Sequence, residues 1–348
     1  MITKEKVKNF DFAYSVGYIK TQEALLLNKN EVDRMTLASN LTEAFKVLNE
    51  TDYADNKSGV TDSGDFQKVL DEGLLDIKKM LDRITPNLRI LDIIWFDYDF
   101  HNIKTLLKAK LSGKTYEDIK DLLMPMGAIE IEHLKKFILD KKDAEFNINP
   151  QTEIYLKKRI QKLEELFEKT GKNPQVIDLY MDQKLMKIIY HKATDSKSQF
   201  LIDFIKMLID LNNIKLFLRM WATDKDFSLY ELAFLWNGYL EFNIFKKCYD
   251  HDIKSFLDEM KKTRYAKIVA EGYKRYEKDR TFIFLEKEIS NFLITHLKQS
   301  RTVIAGPEPL IAYYLAKKNN AQVIRTILVH KSNNTEIEEI KEKIGNIY

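Results

Sequence analysis

An apolar stripe written three times along the chain limits its fold more than any other feature. Ile93, Phe96, Phe100, Ile103 and Leu107 follow helical spacings, and adding 111 to each number gives Phe204, Met207, Leu211, Ile214 and Leu218. A further step of 110 gives Tyr314, Lys317, Ala321, Ile324 and Leu328, with Lys317 the one break. Steps of three and four residues place all five on one face of a helix, so each copy has one face to bury. Polar positions travel with the stripe: Asp99, Asn102 and Lys104 become Asp210, Asn213 and Lys215, then Asn320, Val323 and Arg325. A stripe alone marks any amphipathic helix, whereas an acid, an amide and a base at fixed offsets mark a repeat. Asp99 and Asn102, one turn apart, are expected to share a side-chain hydrogen bond that fixes the helix on its neighbours.

The rest of the chain also reads as helix. Only 6 prolines and 11 glycines punctuate 348 residues, and no alternating run rich in Val, Ile and Thr persists. Leu156, Ile160, Leu163 and Phe167 make another stripe, with Glu153 and Lys157, and Glu165 and Lys169, as i, i+4 pairs on its far side. A second echo joins Thr51-Asp52-Tyr53 to Thr263-Arg264-Tyr265, each closing an apolar helical stretch. The expectation is an all-α fold of three similar helical-bundle units, 1–112, 113–222 and 223–348. Joints fall at Ser112-Gly113 and at Thr223 to Ser228, with loops at Asn147 to Pro150 and Gly171 to Pro174. Asp52 to Asp65 reads as a mobile loop. The tail reads as a stop at Asn333-Asn334 and then a short charged helix with Ile337, Ile340 and Ile344 on one side.

Composition excludes several function classes. Lys plus Arg at 56 against Asp plus Glu at 53 leaves a formal charge of +3, which does not suggest a nucleic-acid partner. Cys248 is the sole cysteine, so neither an intramolecular disulfide nor a cysteine-based zinc site can form, and it reads as a small buried hydrophobe. The charged start Met1-Ile2-Thr3-Lys4-Glu5-Lys6 lacks the apolar core of a signal peptide. Stretches free of charge, such as Leu232 to Leu240, fall well short of the roughly 20 residues that a bilayer helix needs.

Motifs that resemble chemistry fail on inspection. Ser112-Gly113-Lys114-Thr115 looks like the end of a phosphate-binding loop, but Lys108 stands where its first glycine belongs and a helix precedes it. It reads as a helix-ending turn. Asp97 and His101 at i, i+4 could face one metal ion, yet Asp99 points elsewhere and no second cluster completes four ligands. His101, His133, His191, His251, His296 and His330 are scattered without ligand spacing, and no nucleophile motif is present. Arg264-Tyr265-Ala266-Lys267 and Tyr273-Lys274-Arg275-Tyr276 interleave bases with aromatics, but Glu271, Glu277 and Asp279 dilute the charge. They read as an exposed helix with tyrosines packed at its edge. No residue is assigned a catalytic, cofactor-binding or metal-binding role.

Gly306-Pro307-Glu308-Pro309-Leu310-Ile311-Ala312-Tyr313-Tyr314-Leu315-Ala316-Lys317, followed by Ile324-Arg325-Thr326-Ile327-Leu328, resembles the C subunit of archaeal and bacterial V-type ATPases. That family includes the d subunit of the eukaryotic enzymes. The element from Leu48 to Tyr53 agrees with it, while a basic-x-basic-x-x-acid element near the N-terminus here reads Tyr18, Lys20 and Glu23. The resemblance implies three helical bundles set with pseudo-threefold symmetry into a funnel. It implies a non-catalytic adaptor without cofactor, one copy per complex, peripheral on the cytoplasmic side of the membrane. Its partners would be the central-stalk subunits of the ATP-hydrolysing head and the membrane proteolipid rotor ring, without membrane insertion, and the transported ion H+ or Na+. The rival from another class is a helical-repeat scaffold that binds a soluble protein or peptide.

Overall fold

The computed structural model describes residues 9–53, 63–223, 226–249 and 252–348, and among these the chain forms helices and 3-10 turns with no strand. The middle of the expected loop over 52–65 therefore lies outside the described residues, as do 224–225 in the joint after Thr223. Contacts divide the chain into two compact units. One joins residues 1–86 to 257–348, and the other is 87–256.

The helices, in chain order, open with α1 (Ala13–Gln22), α2 (Lys29–Leu37), α3 (Leu41–Leu48) and α4 (Phe66–Ile84). Residues 87–256 then contribute α5 (Asp92–Ser112), α6 (Ile131–Ile138), α7 (Pro150–Lys169), α8 (Gln175–Ser196), α9 (Gln199–Ala222), α10 (Phe227–Ala233) and α11 (Phe242–Tyr249). The chain continues through α12 (Ile253–Met260) into α13 (Ala266–Asp279), α14 (Ile283–Leu297), α15 (Glu308–Ser332) and α16 (Ile337–Lys343).

Local chemistry sets many of these limits. The Asn28 side chain accepts from Glu31 N–H while Glu31 reaches back to Asn28 N–H, which satisfies donors that α2 cannot pair internally. Asn149 caps α7 in the same sense, with Pro150 in the first turn where its missing N–H costs nothing. Gly113 ends α5 in the left-handed region at φ 70°, and Lys114 N–H closes back on Ala109 O at 2.9 Å.

The three repeated stripes belong to α5, α9 and α15, and every stripe position is buried, Lys317 included. These helices bury other faces too. Ile94, Trp95, Tyr98 and Leu106 of α5 are as covered as its stripe, which marks a helix at the centre of its unit. In residues 87–256, α5 packs on α6 and α8, and α8 on α7, α9 and α10. Phe217 of α9 anchors an aromatic cluster there, stacked on Phe256 with centroids 4.1 Å apart and set edge-on to Tyr230 and Tyr249. In the other unit α15 packs on α1, α2, α3, α4 and α16, so helices from both ends of the sequence share one core. The α7 stripe of Leu156, Ile160, Leu163 and Phe167 is buried as expected, and Glu153 pairs with Lys157 at 3.0 Å. The tail folds as read, with Asn334 in the left-handed region and Ile340 of α16 fully buried.

Candidate functional site

The repeat is a hydrogen-bonded clamp. The Asp99 carboxylate has no exposed surface and accepts the N–H groups of Ala128 (2.9 Å) and Ile129 (3.0 Å). Asn102 accepts from Met124 N–H and donates to Met124 O, both at 2.8 Å. In the second copy Asp210 accepts from Tyr239 (3.1 Å) and Leu240 (3.0 Å), while Asn213 accepts from Leu235 N–H (2.9 Å) and donates to Leu235 O (2.8 Å). Each partner of the second copy lies 111 residues after its counterpart in the first. The sequence leads to the expectation of a bond between Asp99 and Asn102. The partners that both side chains take instead lie 22 to 30 residues downstream, in the loop that leads into the next short helix. Gly127 and Gly238 make the fit possible, because a Cβ on either would run into the Oδ1 atom of the clamping aspartate.

The third copy holds a different part of the sequence. With its amide oriented to satisfy both ends, Asn320 donates to Ala316 O (3.3 Å) and accepts from Leu27 N–H (2.9 Å). Leu27 stands just before the cap of α2, as Ile129 and Leu240 stand just before α6 and α11. The loop that follows α5 and α9 within each copy is thus supplied to α15 by the start of the chain.

Lys317, the break in the third stripe, has its own partners. Its ammonium contacts the Asp52 carboxylate, donates to Leu25 O (3.3 Å) and lies 5.3 Å from the centre of the Tyr53 ring. Burial pulls it down to about 7, with Glu31 drawing it back up, and the adjoining Asp52 carboxylate adds to that upward pull. Sequence reasoning missed this pair, although its signals were present as the broken stripe and the Thr51-Asp52-Tyr53 echo. That echo is structural. Thr51 donates to Leu48 O (2.8 Å) and accepts from Tyr53 N–H (3.3 Å), and Thr263 does the same with Met260 O (2.7 Å) and Tyr265 N–H (3.1 Å).

At Gly306-Pro307-Glu308 the motif explains itself locally. Gly306 has φ 150°, and a Cβ there would meet the Glu308 carboxylate, which folds back over the glycine at the start of α15. This arrangement sets the direction from which the chain enters its longest helix.

The lookalike motifs are absorbed by structure. Ser112-Gly113-Lys114-Thr115 is the capped end of α5, and Thr115 N–H and hydroxyl both bond Asp118. His101 Nε2 lies 2.9 Å from Leu122 O and Asp99 is committed to the loop, so Asp97, Asp99 and His101 do not converge. No group of three metal-ligating side chains occurs among the described residues. Tyr265 is fully buried rather than at an edge, Tyr276 stacks on Phe282, and Arg275 is paired with Asp279 and Glu342. Cys248 is buried in α11. What these constellations can do is hold loops and helix ends in fixed positions. No nucleophile with an adjacent base stands among them. No described helix is long and apolar enough to cross a membrane.

Comparison with known proteins covers nearly the whole chain. The family described as ATP synthase (C/AC39) subunit matches residues 15–343. The chain is 25% identical to the C subunit of the A-type ATP synthase of Methanocaldococcus jannaschii, over 98% of its own length and 88% of that protein. It is 22% identical to the C subunit of the V-type sodium ATPase of Enterococcus hirae, over 95% of its own length and 97% of that protein. Against the C subunit of the A-type ATP synthase of Pyrococcus furiosus it is 22% identical, over 97% of its own length and 90% of that protein.

Proposed function

Because the chain belongs to the ATP synthase (C/AC39) subunit family, we propose that it is the non-catalytic adaptor of a rotary ATPase, seating the central stalk of the ATP-hydrolysing head on the membrane rotor ring. The observation that carries this reading is the full-length similarity to the C subunits of A-type and V-type machines. Three related units, 1–112, 113–222 and 223–348, set around a funnel with pseudo-threefold symmetry, are part of the proposal. The clamp written twice in α5 and α9, with a variant in α15, supports it.

The physics of the clamp suits the role. A part that transmits torque must not yield at its loops, and charge-assisted bonds from buried carboxylates hold loop backbone more firmly than neutral ones. Chemistry of ATP belongs to the head in this reading, so the adaptor needs no reactive side chains. It works on the cytoplasmic side as a peripheral component, one copy per complex, and serves transport of H+ or Na+. Purification of the tagged chain from gently solubilised membranes is expected to recover both the stalk proteins and the ring proteolipid. Recovery of a soluble partner without either would favour the helical scaffold instead.

A further inference from the structure

The helix pair α7 and α8 carries a set of cations that the adaptor role does not use. Tyr155, Arg159 and Lys162 lie on one strip of α7, and Tyr180, Lys184 and Lys187 on one strip of α8, each at steps of three and four residues. The strips meet through their aromatic rings. The Arg159 guanidinium sits 4.7 Å from the Tyr155 ring and the Lys187 ammonium 5.9 Å from the same ring, while Lys184 lies 4.6 Å from the Tyr180 ring. Arg159 also leans on the Tyr180 hydroxyl, in a geometry that leaves both Arg159 Nε and that hydroxyl buried without a hydrogen-bond partner.

No carboxylate lies within ion-pair distance of Arg159, Lys162, Lys184 or Lys187 among the described residues. Several charged neighbours on the same two helices are paired. Lys157 holds Asp143 and Glu153, Glu164 is taken by Lys110, Asp178 by Lys108, Asp182 by Lys104, and Lys192 by Asp92. Glu164, Asp178 and Asp182 are thus held by cations of α5, while Arg159, Lys184 and Lys187 gather on the Tyr155 and Tyr180 rings without a carboxylate in ion-pair reach. Half-burial and the fields of Arg159, Lys187 and Lys162 pull Lys184 down to about 8. Clustered like charges raise the energy of the fold unless an anion joins them.

We propose that these strips form an anion site for a phosphate group, with Arg159, Lys162, Lys184 and Lys187 as its ligands. An arginine fork with three ammonium groups matches the oxygens of a phosphate better than a single carboxylate. The phosphate belongs either to a soluble phosphate compound or to a phospholipid headgroup. Both present the same oxyanion, and the two sources are separable.

Calorimetric titration of the full chain with inorganic phosphate at pH 8, against chloride at matched ionic strength, is expected to show saturable binding. Binding should take up protons, because an anion draws Lys184 back toward its charged form, and Lys184→Met should abolish the uptake. Arg159→Gln and the exposed Lys187→Gln should each weaken binding by about tenfold, the second without risk to the core. Flotation with vesicles of phosphatidic acid, set against vesicles of phosphatidylcholine alone, separates the sources. Saturation by free phosphate supports a soluble ligand, and binding only to the acidic vesicles supports a headgroup. Phosphate no better than chloride together with no preference for the acidic vesicles would overturn the proposal, as would binding unchanged in both variants.

Discussion

Asp99 and Asp210 are carboxylates without exposed surface, and each holds two backbone N–H groups of a loop. Removing either leaves those donors buried and unpaired, which costs about 1–3 kcal/mol per group. Asp210→Ala is therefore expected to lower stability by about 3–5 kcal/mol, read as a fall in the urea midpoint without change of slope. Gly238→Ala should cost about 1–3 kcal/mol at the same place, because its Cβ meets a carboxylate that is pinned. Lys317 makes the opposite case. Its counterparts in the repeat are Phe96 and Met207, so Lys317→Met supplies an apolar residue of suitable length. Because the Asp52 carboxylate left behind is partly exposed and can stay hydrated, the loss should be smaller than that from removing Asp52. Asp52→Asn leaves the buried ammonium without its counter-charge and should cost about 2–4 kcal/mol. Equal losses from both substitutions would show that the pair itself, not burial of an uncompensated charge, sets the energetics.

At the scale of elements, α15 begins where Gly306 and Glu308 fold on one another. Gly306→Ala must both adopt φ near 150° and displace the carboxylate, a strain of about 1–3 kcal/mol. A melting temperature unchanged by that substitution would remove the structural account of the motif. Periodicity made α5, α9, α15 and the stripe of α7 readable in advance, since spacings of three and four residues need no tertiary information. The end of α5 at Gly113 was readable for the same reason. The partners of the clamp were not. Asp99 and Asn102 were visible as a repeated pair, but Met124, Ala128 and Ile129 become their partners only when a loop turns back, and only Gly127 and Gly238 at a constant offset hinted at it. Lys317 read as a defect because its counter-charge, Asp52, lies at the other end of the sequence. Burial of Tyr265 was hidden in the same way, by bases on either side that pointed to solvent.

For the whole molecule, the unit that joins residues 1–86 to 257–348 depends on contacts between chain ends. Lys331 of α15 donates to Ala38 O at 2.6 Å, Lys20 donates to Arg301 O at 2.9 Å, and Ile340 packs fully buried near α2, α14 and α15. Ile340→Ala is expected to cost about 2–5 kcal/mol, and amide exchange should quicken across α2, α3 and α4 as well as in α16. Faster exchange in α16 alone would contradict a core shared by both ends. Family membership was legible in the sequence from the stretch opening at Gly306, whose structural part is to aim a helix. The surfaces that meet other proteins of the complex were not legible, because side chains that receive a partner look like ordinary exposed residues until the partner is in place.

In the proposed role the chain couples the stalk to the ring and does no chemistry. That role is tested most directly by reconstituting the rotary complex into sealed vesicles with and without the chain, and measuring ATP hydrolysis by the head beside ATP-driven ion uptake. Without the chain, hydrolysis is expected to continue and ion uptake to vanish, with uptake restored when the chain is added back. Ion uptake that persists undiminished in its absence would rule out the coupling role.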